Sequence, residues 1–204
     1  DDHECDSLCC MTTSTEQLYF VPESRWTTEE AWVGTRRPVH EAHALPADCY
    51  VDESFFADEQ ECVFATSWVC VGLHDELDSP GSAIVRTVAG RSVILTRNAD
   101  GRLRGFMNSC SHRGTQLLED DCTLGSMIRC PYHRWGYDRD GALMATPKFA
   151  DAGVDGFDPS DYGLHPVRVD TWQCLLVVCL SEETPPVHEW FGDLGDRLYG
   201  YRLA

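Results

Sequence analysis

The sequence predicts an all-β domain, and three observations carry that prediction. Short β-rich runs recur at close spacing, with turn formers between them. The longest apolar run, CLLVVCL at 174–180, has the length of a strand and is far short of a membrane span. Neither an internal repeat nor a low-complexity tract breaks the pattern.

Taken in order, residues 1–45 are polar, rich in turn formers and without a sustained period, so an extended N-terminal arm is expected. The core domain is expected over 46–185. It opens with a helix at about 53–64, where Phe55, Phe56, Cys62 and Val63 make an apolar stripe. TSWVCVG then reads as a strand, and AIVRTVAGRSVILTR as two strands broken at Ala89-Gly90. NADG at 98–101 turns the chain into RLRGFMN, and SMIRC is a further short strand. GYDRDGALMA is a hairpin with Asp140-Gly141 at its tip, and LHPVRVDTWQCLLVVCL supplies two more strands. Residues 186–204 read as a linker with a helix start. Its Trp190, Phe191, Leu194, Leu198 and Tyr199 offer apolar surface that needs a partner.

Lys and Arg number 16 against 34 Asp and Glu, a net charge of −18. That excess argues against nucleic acid and anionic membranes, which attract Lys and Arg patches. An acidic solvated surface is the simple reading; a basic docking partner is the other. The start DDHECDSLCC is acidic and lacks the apolar stretch of a signal peptide and the Arg-rich character of a transit peptide. The chain begins with Asp rather than Met, so a piece of a longer or processed polypeptide is expected. The eleven cysteines are odd in number and irregularly spaced, which suits a reducing intracellular compartment, cytoplasm or organelle stroma. Cys70, Cys174 and Cys179 sit in apolar runs and are expected to be buried, whereas Cys5, Cys9 and Cys10 lie in the polar tail with no role to assign.

The chemistry concentrates at Cys110-x-His112 and Cys130-x2-His133, each on a turn between strand candidates, with Gly114 and Gly136 nearby and Pro131 stiffening the second. Two thiolates and two imidazoles make a four-ligand set. Zinc accepts such a set, but zinc fingers usually pair like ligands, Cys with Cys and His with His. Here each loop offers one of each, which suits a two-iron cluster with two thiolates on one iron and two imidazoles on the other. Cys122, in EDDCTLG, has no His close in sequence and reads as a loop thiol. His40, His43, His74, His165 and His188 are scattered and read as structural or solvated.

CSHRGT and CPYHRW together resemble the two loops of a Rieske [2Fe–2S] domain. The resemblance implies Cys110 and Cys130 on one iron and His112 and His133 on the outer one. It also implies stacked small antiparallel sheets with the cluster at the tip of two loops. The respiratory-chain type joins its loops by a disulfide and places a Ser hydroxyl after the second His. The corresponding positions here are Thr115, Tyr132 and Trp135. Fewer hydrogen bonds to sulfur imply a potential in the lower part of the Rieske range. Tyr132 and Trp135 are expected to shield the cluster from water, and Arg113 to shape its loop. Arg134 stands where the family often has Gly, so an ordinary φ is expected there.

CPYHRW and the segment LPADCYVDESFFADEQECVFATSWVCVGLHDEL are similar to the large subunit of ring-hydroxylating and choline-monooxygenase-like oxygenases, over about residues 45–200. That resemblance implies a domain that takes electrons from a reductase or ferredoxin and passes them to a mononuclear non-heme iron for O2-dependent hydroxylation. The iron would be bound by two His and one carboxylate. After position 165 the chain offers only His188, so that Fe(II) site is expected outside this span, and no catalytic residue is assigned. The full-length relative is expected to be a trimer. The alternative is a Rieske-type electron carrier complete in itself; a structural zinc domain is the third reading.

Overall fold

The structure is a computed structural model and describes residues 24–147, 149, 153 and 155–201. Strands β1 (Val69–Leu73), β2 (Ser82–Val88), β3 (Arg91–Arg97), β4 (Leu103–Met107), β5 (Cys122–Thr123), β9 (Pro166–Trp172) and β10 (Leu175–Cys179) form one antiparallel sheet. Its order is β1-β10-β9-β4-β3-β2-β5. Strands β6 (Ile128–Arg129), β7 (Gly136–Tyr137) and β8 (Leu143–Ala145) form a second, antiparallel sheet of three. The all-β expectation holds.

The expectation of stacked antiparallel sheets holds as well, and β9 joins two of them. Its first residues, Pro166 and Val167, pair with Phe106 and Gly105 of β4, and its remainder pairs with β10. One strand thus serves two ladders, and the large sheet curls around it.

β10 explains why CLLVVCL is apolar without alternation. Leu176 and Val178 face one core with Ile84, Val93 and Leu95. Val177 and Cys179 face another with Trp68 and Val187. All four are fully buried. Each large side chain so buried contributes about 1.5–3 kcal/mol. The hairpin between β2 and β3 turns at Ala89-Gly90, both with positive φ, as its dipeptide suggested.

α1 (Glu53–Glu59) continues into a π-helical turn, Gln60–Phe64, matching the predicted helix. Asp52 caps it, accepting from the amides of Ser54 at 2.8 Å and Phe55 at 3.3 Å. Hydrogen bonds from the Ser54 hydroxyl and the Arg25 guanidinium hold the Asp52 carboxyl down at about 2. Buried Glu61 binds Arg91 through both oxygens, at 2.8 and 2.9 Å, and so ties the helix to β3.

The extended arm is corrected over residues 24–45. Arg25–Thr27 and Glu29–Trp32 wind into 3-10 turns that dock on α1. Trp26 is the anchor: it is buried, meets Phe55 edge-on at 5.2 Å, and its indole donates to the Ser54 hydroxyl at 3.2 Å. An aromatic ring with one polar handle overrides the weak local preference of a polar segment. Cys5, Cys9 and Cys10 lie outside the described residues.

Three smaller expectations change as well. Cys70 is exposed because β1 is an edge strand, and Cys174, in the β9–β10 turn, is only half-buried. Cys122 lies on a strand, β5, opposite Ala83, rather than in a turn. At the C-terminal end α2 (Val187–Phe191) and α3 (Leu194–Leu198) are short, as expected of a helical linker. Phe191 stacks on Trp172 at 4.5 Å, while Trp190 and Tyr199 stay exposed. Among the described residues no helix is long and apolar enough to cross a membrane.

Candidate metal centre

The four residues singled out from the sequence come together at one end of the molecule. Their loops are built alike. In the first, the Cys110 amide donates to the Thr115 carbonyl at 2.9 Å and the Gly114 amide to the Cys110 carbonyl at 2.8 Å. In the second, the Cys130 amide donates to the Trp135 carbonyl at 2.8 Å and the Arg134 amide to the Cys130 carbonyl at 3.1 Å. Both loops turn through a left-handed residue at the same place, Gly114 with φ 67° and Arg134 with φ 63°.

An ordinary φ was expected at Arg134, and the structure corrects this. The two hydrogen bonds that close the loop demand the left-handed turn whichever residue stands there, so the Cβ penalty is borne.

The base of the first loop is fastened by Asn108, which is 4% exposed. Its carbonyl oxygen accepts from the amides of Leu117 and Leu118, both at 3.0 Å, and its amide group donates to the Leu118 carbonyl at 2.7 Å and the Ser92 hydroxyl at 3.0 Å. The second loop is the connection between β6 and β7. At Gly136 a Cβ would meet the Met127 methyl at 2.8 Å, so any larger residue there would have to displace that flexible side chain. The Ser111 hydroxyl bonds the Gly163 carbonyl at 2.6 Å and so moors the first loop to the chain entering β9.

The side chains sort into two pairs. Cys110 and Cys130 are 2% and 1% exposed and lie side by side, within hydrogen-bonding reach of each other. The His112 and His133 rings lie further out, with centroids 4.9 Å apart; the first is half-buried and the second exposed. Among the described residues no three His, Cys, Asp or Glu side chains surround a common ion position. A tetrahedral zinc draws four donors to about 2.0–2.3 Å of one point. A two-iron cluster asks instead for two separate pairs, sulfur on one iron and nitrogen on the other. The inner thiols and outer imidazoles fit the second requirement.

The protonation state of His112 fits too. Burial favours the neutral His112 ring, and the nearby His133 and Arg113 act the same way. A neutral imidazole has a free lone pair for a metal. Burial raises the Cys110 thiol, the neighbouring Cys130 adds to this, and the Tyr137 hydroxyl opposes it.

Tyr137 was missed from the sequence. It is fully buried, and its hydroxyl lies 3.1 Å from the Cys110 sulfur. The Ser111 amide donates to the same oxygen at 3.1 Å, which leaves the hydroxyl proton for the sulfur. Its spacing after Cys130 was visible, but the contact across two loops was not. The expectation of few hydrogen bonds to sulfur is thus corrected by one, supplied two residues beyond Trp135.

Trp135 is buried and lies nearly parallel to His112, at 4.6 Å and 11°. Phe149 and Tyr162 pack edge-on against it at 5.7 and 5.9 Å. Water is therefore kept off the face of His112 that stacks on Trp135. Tyr132 sits on the His133 ring at 3.7 Å but remains 59% exposed, so shielding there is partial. An open cleft of about 330 Å³ lies over the two imidazoles, lined by Tyr132, Arg134, Trp135, Pro147 and Phe149. Arg113 shapes nothing: its guanidinium is exposed and bonds no side chain or carbonyl of the described residues. Cys122 is exposed on β5 and takes no part in either pair. His40, His74 and His188 each sit beside one carboxylate elsewhere on the surface.

Comparison with known proteins agrees with this geometry. The carnitine monooxygenase oxygenase subunit of Escherichia coli (strain K12) is 34% identical over 158 residues, covering 78% of this chain and 42% of that protein. The crystal structure of a quaternary ammonium Rieske monooxygenase in complex with L-carnitine superposes with a TM-score of 0.73 at 31% identity, over 78% of this chain and 45% of that one. Naphthalene 1,2-dioxygenase from Rhodococcus sp. gives a TM-score of 0.71 at 30% identity, over 76% and 35%. The chain thus spans less than half the length of these relatives. The Rieske [2Fe-2S] domain profile matches residues 67–168, half of the sequence and both loops, and the chain belongs to that family.

Proposed function

We propose that the Cys110 and Cys130 thiolates hold one iron of a [2Fe–2S] cluster and the His112 and His133 imidazoles the other. The observation that carries this is the pair of matching loops, with buried thiols inside and imidazoles toward solvent. A bound cluster supplies a one-electron acceptor. The chain's own residues do the rest. Tyr137 holds a proton against the Cys110 sulfur, Trp135 and Phe149 keep water off His112, and exposed His133 gives electrons a short way in and out.

The chain acts as the electron-accepting domain of an oxygenase. It receives electrons from a reductase or ferredoxin and serves a mononuclear non-heme iron that lies outside this chain. Similarity to carnitine monooxygenase and naphthalene dioxygenase subunits supports this role. Residues 46–185 form the electron-transfer unit, 1–45 the preceding arm and 186–204 the linker toward a catalytic domain, in an oligomer, a trimer by family resemblance. The eight described cysteines are all free thiols, which suits a reducing intracellular compartment.

Metal and sulfide analysis of anaerobically prepared protein tests the proposal. Two iron and two acid-labile sulfide per chain with a red-brown colour are expected; a colourless zinc protein overturns it.

A further inference from the structure

Two aromatic lines leave the imidazoles, and they emerge at different places. Tyr132 lies on His133 at 3.7 Å and lines the cleft. The other line starts at His112. Trp135 stacks on that ring at 4.6 Å and 11°, and Tyr162 meets Trp135 edge-on at 5.9 Å. Tyr162 is 37% exposed and does not line the cleft. Its hydroxyl makes no hydrogen bond among the described residues, so its proton exchanges with water. Trp135 is 2% exposed, and Phe149 and Phe157 close around it at 5.7 and 6.1 Å. Phe157 also touches Tyr162, at 4.9 Å. Indole and phenol are the aromatic side chains that give up an electron most readily, and here they stand in line from an imidazole to the surface. The phenylalanines beside them do not conduct in this way; they keep the indole dry. The Trp26–Trp32 pair, by contrast, packs on Phe55.

We propose that Trp135 and Tyr162 form an electron relay that quenches oxidising radicals at the protein surface with an electron drawn from the cluster past His112. This rests on the electron-transfer reading above. An oxygen-derived one-electron oxidant takes an electron from Tyr162, and the phenolic proton leaves to water. The tyrosyl radical then takes an electron through the Trp135 ring, and its oxygen takes a proton back from water. That electron comes from the reduced cluster, which is left oxidised. The net change is one oxidant reduced and one cluster oxidised by a single electron each, with no side-chain bond broken. Burial suits Trp135 to the middle place, because an indole kept from water can pass an electron without being attacked while it lacks one. Exposure suits Tyr162 to meet the oxidant. Because Tyr162 lies outside the cleft, this outlet is separate from the one at Tyr132.

The test exposes the cluster-loaded chain to azide radical, a one-electron oxidant of phenols and indoles, in fewer equivalents than chain. Peptide mass spectrometry reads the oxidation residue by residue, with the cluster reduced in one sample and oxidised in the other. Tyr50 and Tyr199, 72% and 87% exposed and off the relay, are the internal references. With the cluster reduced, damage at Tyr162 and Trp135 should fall several-fold relative to the two references. With the cluster oxidised, that advantage should vanish. Trp135→Phe keeps a ring at the junction but not an indole, so Tyr162 should lose its protection. Equal damage at Tyr162 in both redox states overturns the relay. So does protection shared equally by Tyr50 and Tyr199, which marks scavenging from solution, and so does protection that survives in iron-loaded Trp135→Phe. If Trp135→Phe loses its iron, the surface variant Tyr162→Phe decides. After a radical pulse, its slow phase of cluster oxidation should be smaller than in the wild type, and an unchanged trace overturns the relay. A wild type that holds no iron, or that dithionite cannot reduce, overturns the electron-transfer reading itself; the outcomes above leave that reading standing.

Discussion

The two Cys/His loops share one backbone and differ in nearly everything hung on it. Each is closed by the same two hydrogen bonds and the same left-handed turn. Yet His112 is half-buried against Trp135, while His133 lies open beneath an exposed Tyr132. The Cys110 sulfur meets a hydroxyl, whereas Cys130 meets none among the described residues. One turn uses Gly114 and the other Arg134. The common backbone places the two thiols and the two imidazoles. The differing side chains make one loop a packed, hydrogen-bonded anchor and leave the other open to solvent.

Removing a donor should break the arrangement outright. His133→Ala is expected to lose the cluster, with iron falling from two per chain to near zero, because an outer iron with one imidazole is left open to water. Absorbance and iron content check this. A variant that keeps both irons would mean that His133 is not a ligand.

The asymmetry between the thiols is probed by Tyr137→Phe. The hydroxyl bond stabilises the more negative, reduced state, so the midpoint should fall. A differential of about 1 kcal/mol corresponds to roughly 45 mV for one electron. Redox titration reads it. An unchanged midpoint would remove Tyr137 from the account, and a Tyr137→Phe protein that bleaches would assign it a structural role instead.

The turns themselves can be compared through Gly114→Ala. Adding a Cβ at φ 67° should cost about 1–2 kcal/mol in denaturant unfolding of the loaded protein. Arg134→Gly, the opposite exchange in the twin loop, should cost nothing. The smallest effect is expected from Cys122→Ser on edge strand β5: spectrum and iron content should stay as in the wild type, and a bleached variant would place Cys122 among the ligands.

Most of this fold is readable from local pattern. The Ala89-Gly90 and Asp140-Gly141 turns, the helix after Asp52 and the unbroken apolar run of β10 signal elements that the structure contains. The alternation of Cys and His across two loops singled out four residues from type and spacing, and the structure brings those four together. What was not legible depends on contacts distant in sequence. Trp26 folds part of the arm because Phe55 and Ser54 wait for it on α1. Asn108 closes the first loop through partners at 92, 117 and 118. Tyr137 reaches a sulfur 27 positions away, and the turn at Arg134 follows from hydrogen bonds that do not consult the side chain. β9 could be seen as a strand, but its division between β4 and β10 is a property of the curled sheet.

Mössbauer spectroscopy of protein loaded with 57Fe tests the central claim most directly, since it sees whether the two loops divide their ligands between two irons. Sulfur-bound and nitrogen-bound iron should give two unequal quadrupole doublets of equal area in the oxidised protein. A single doublet, from irons with like ligands, would contradict the division of Cys110 and Cys130 from His112 and His133.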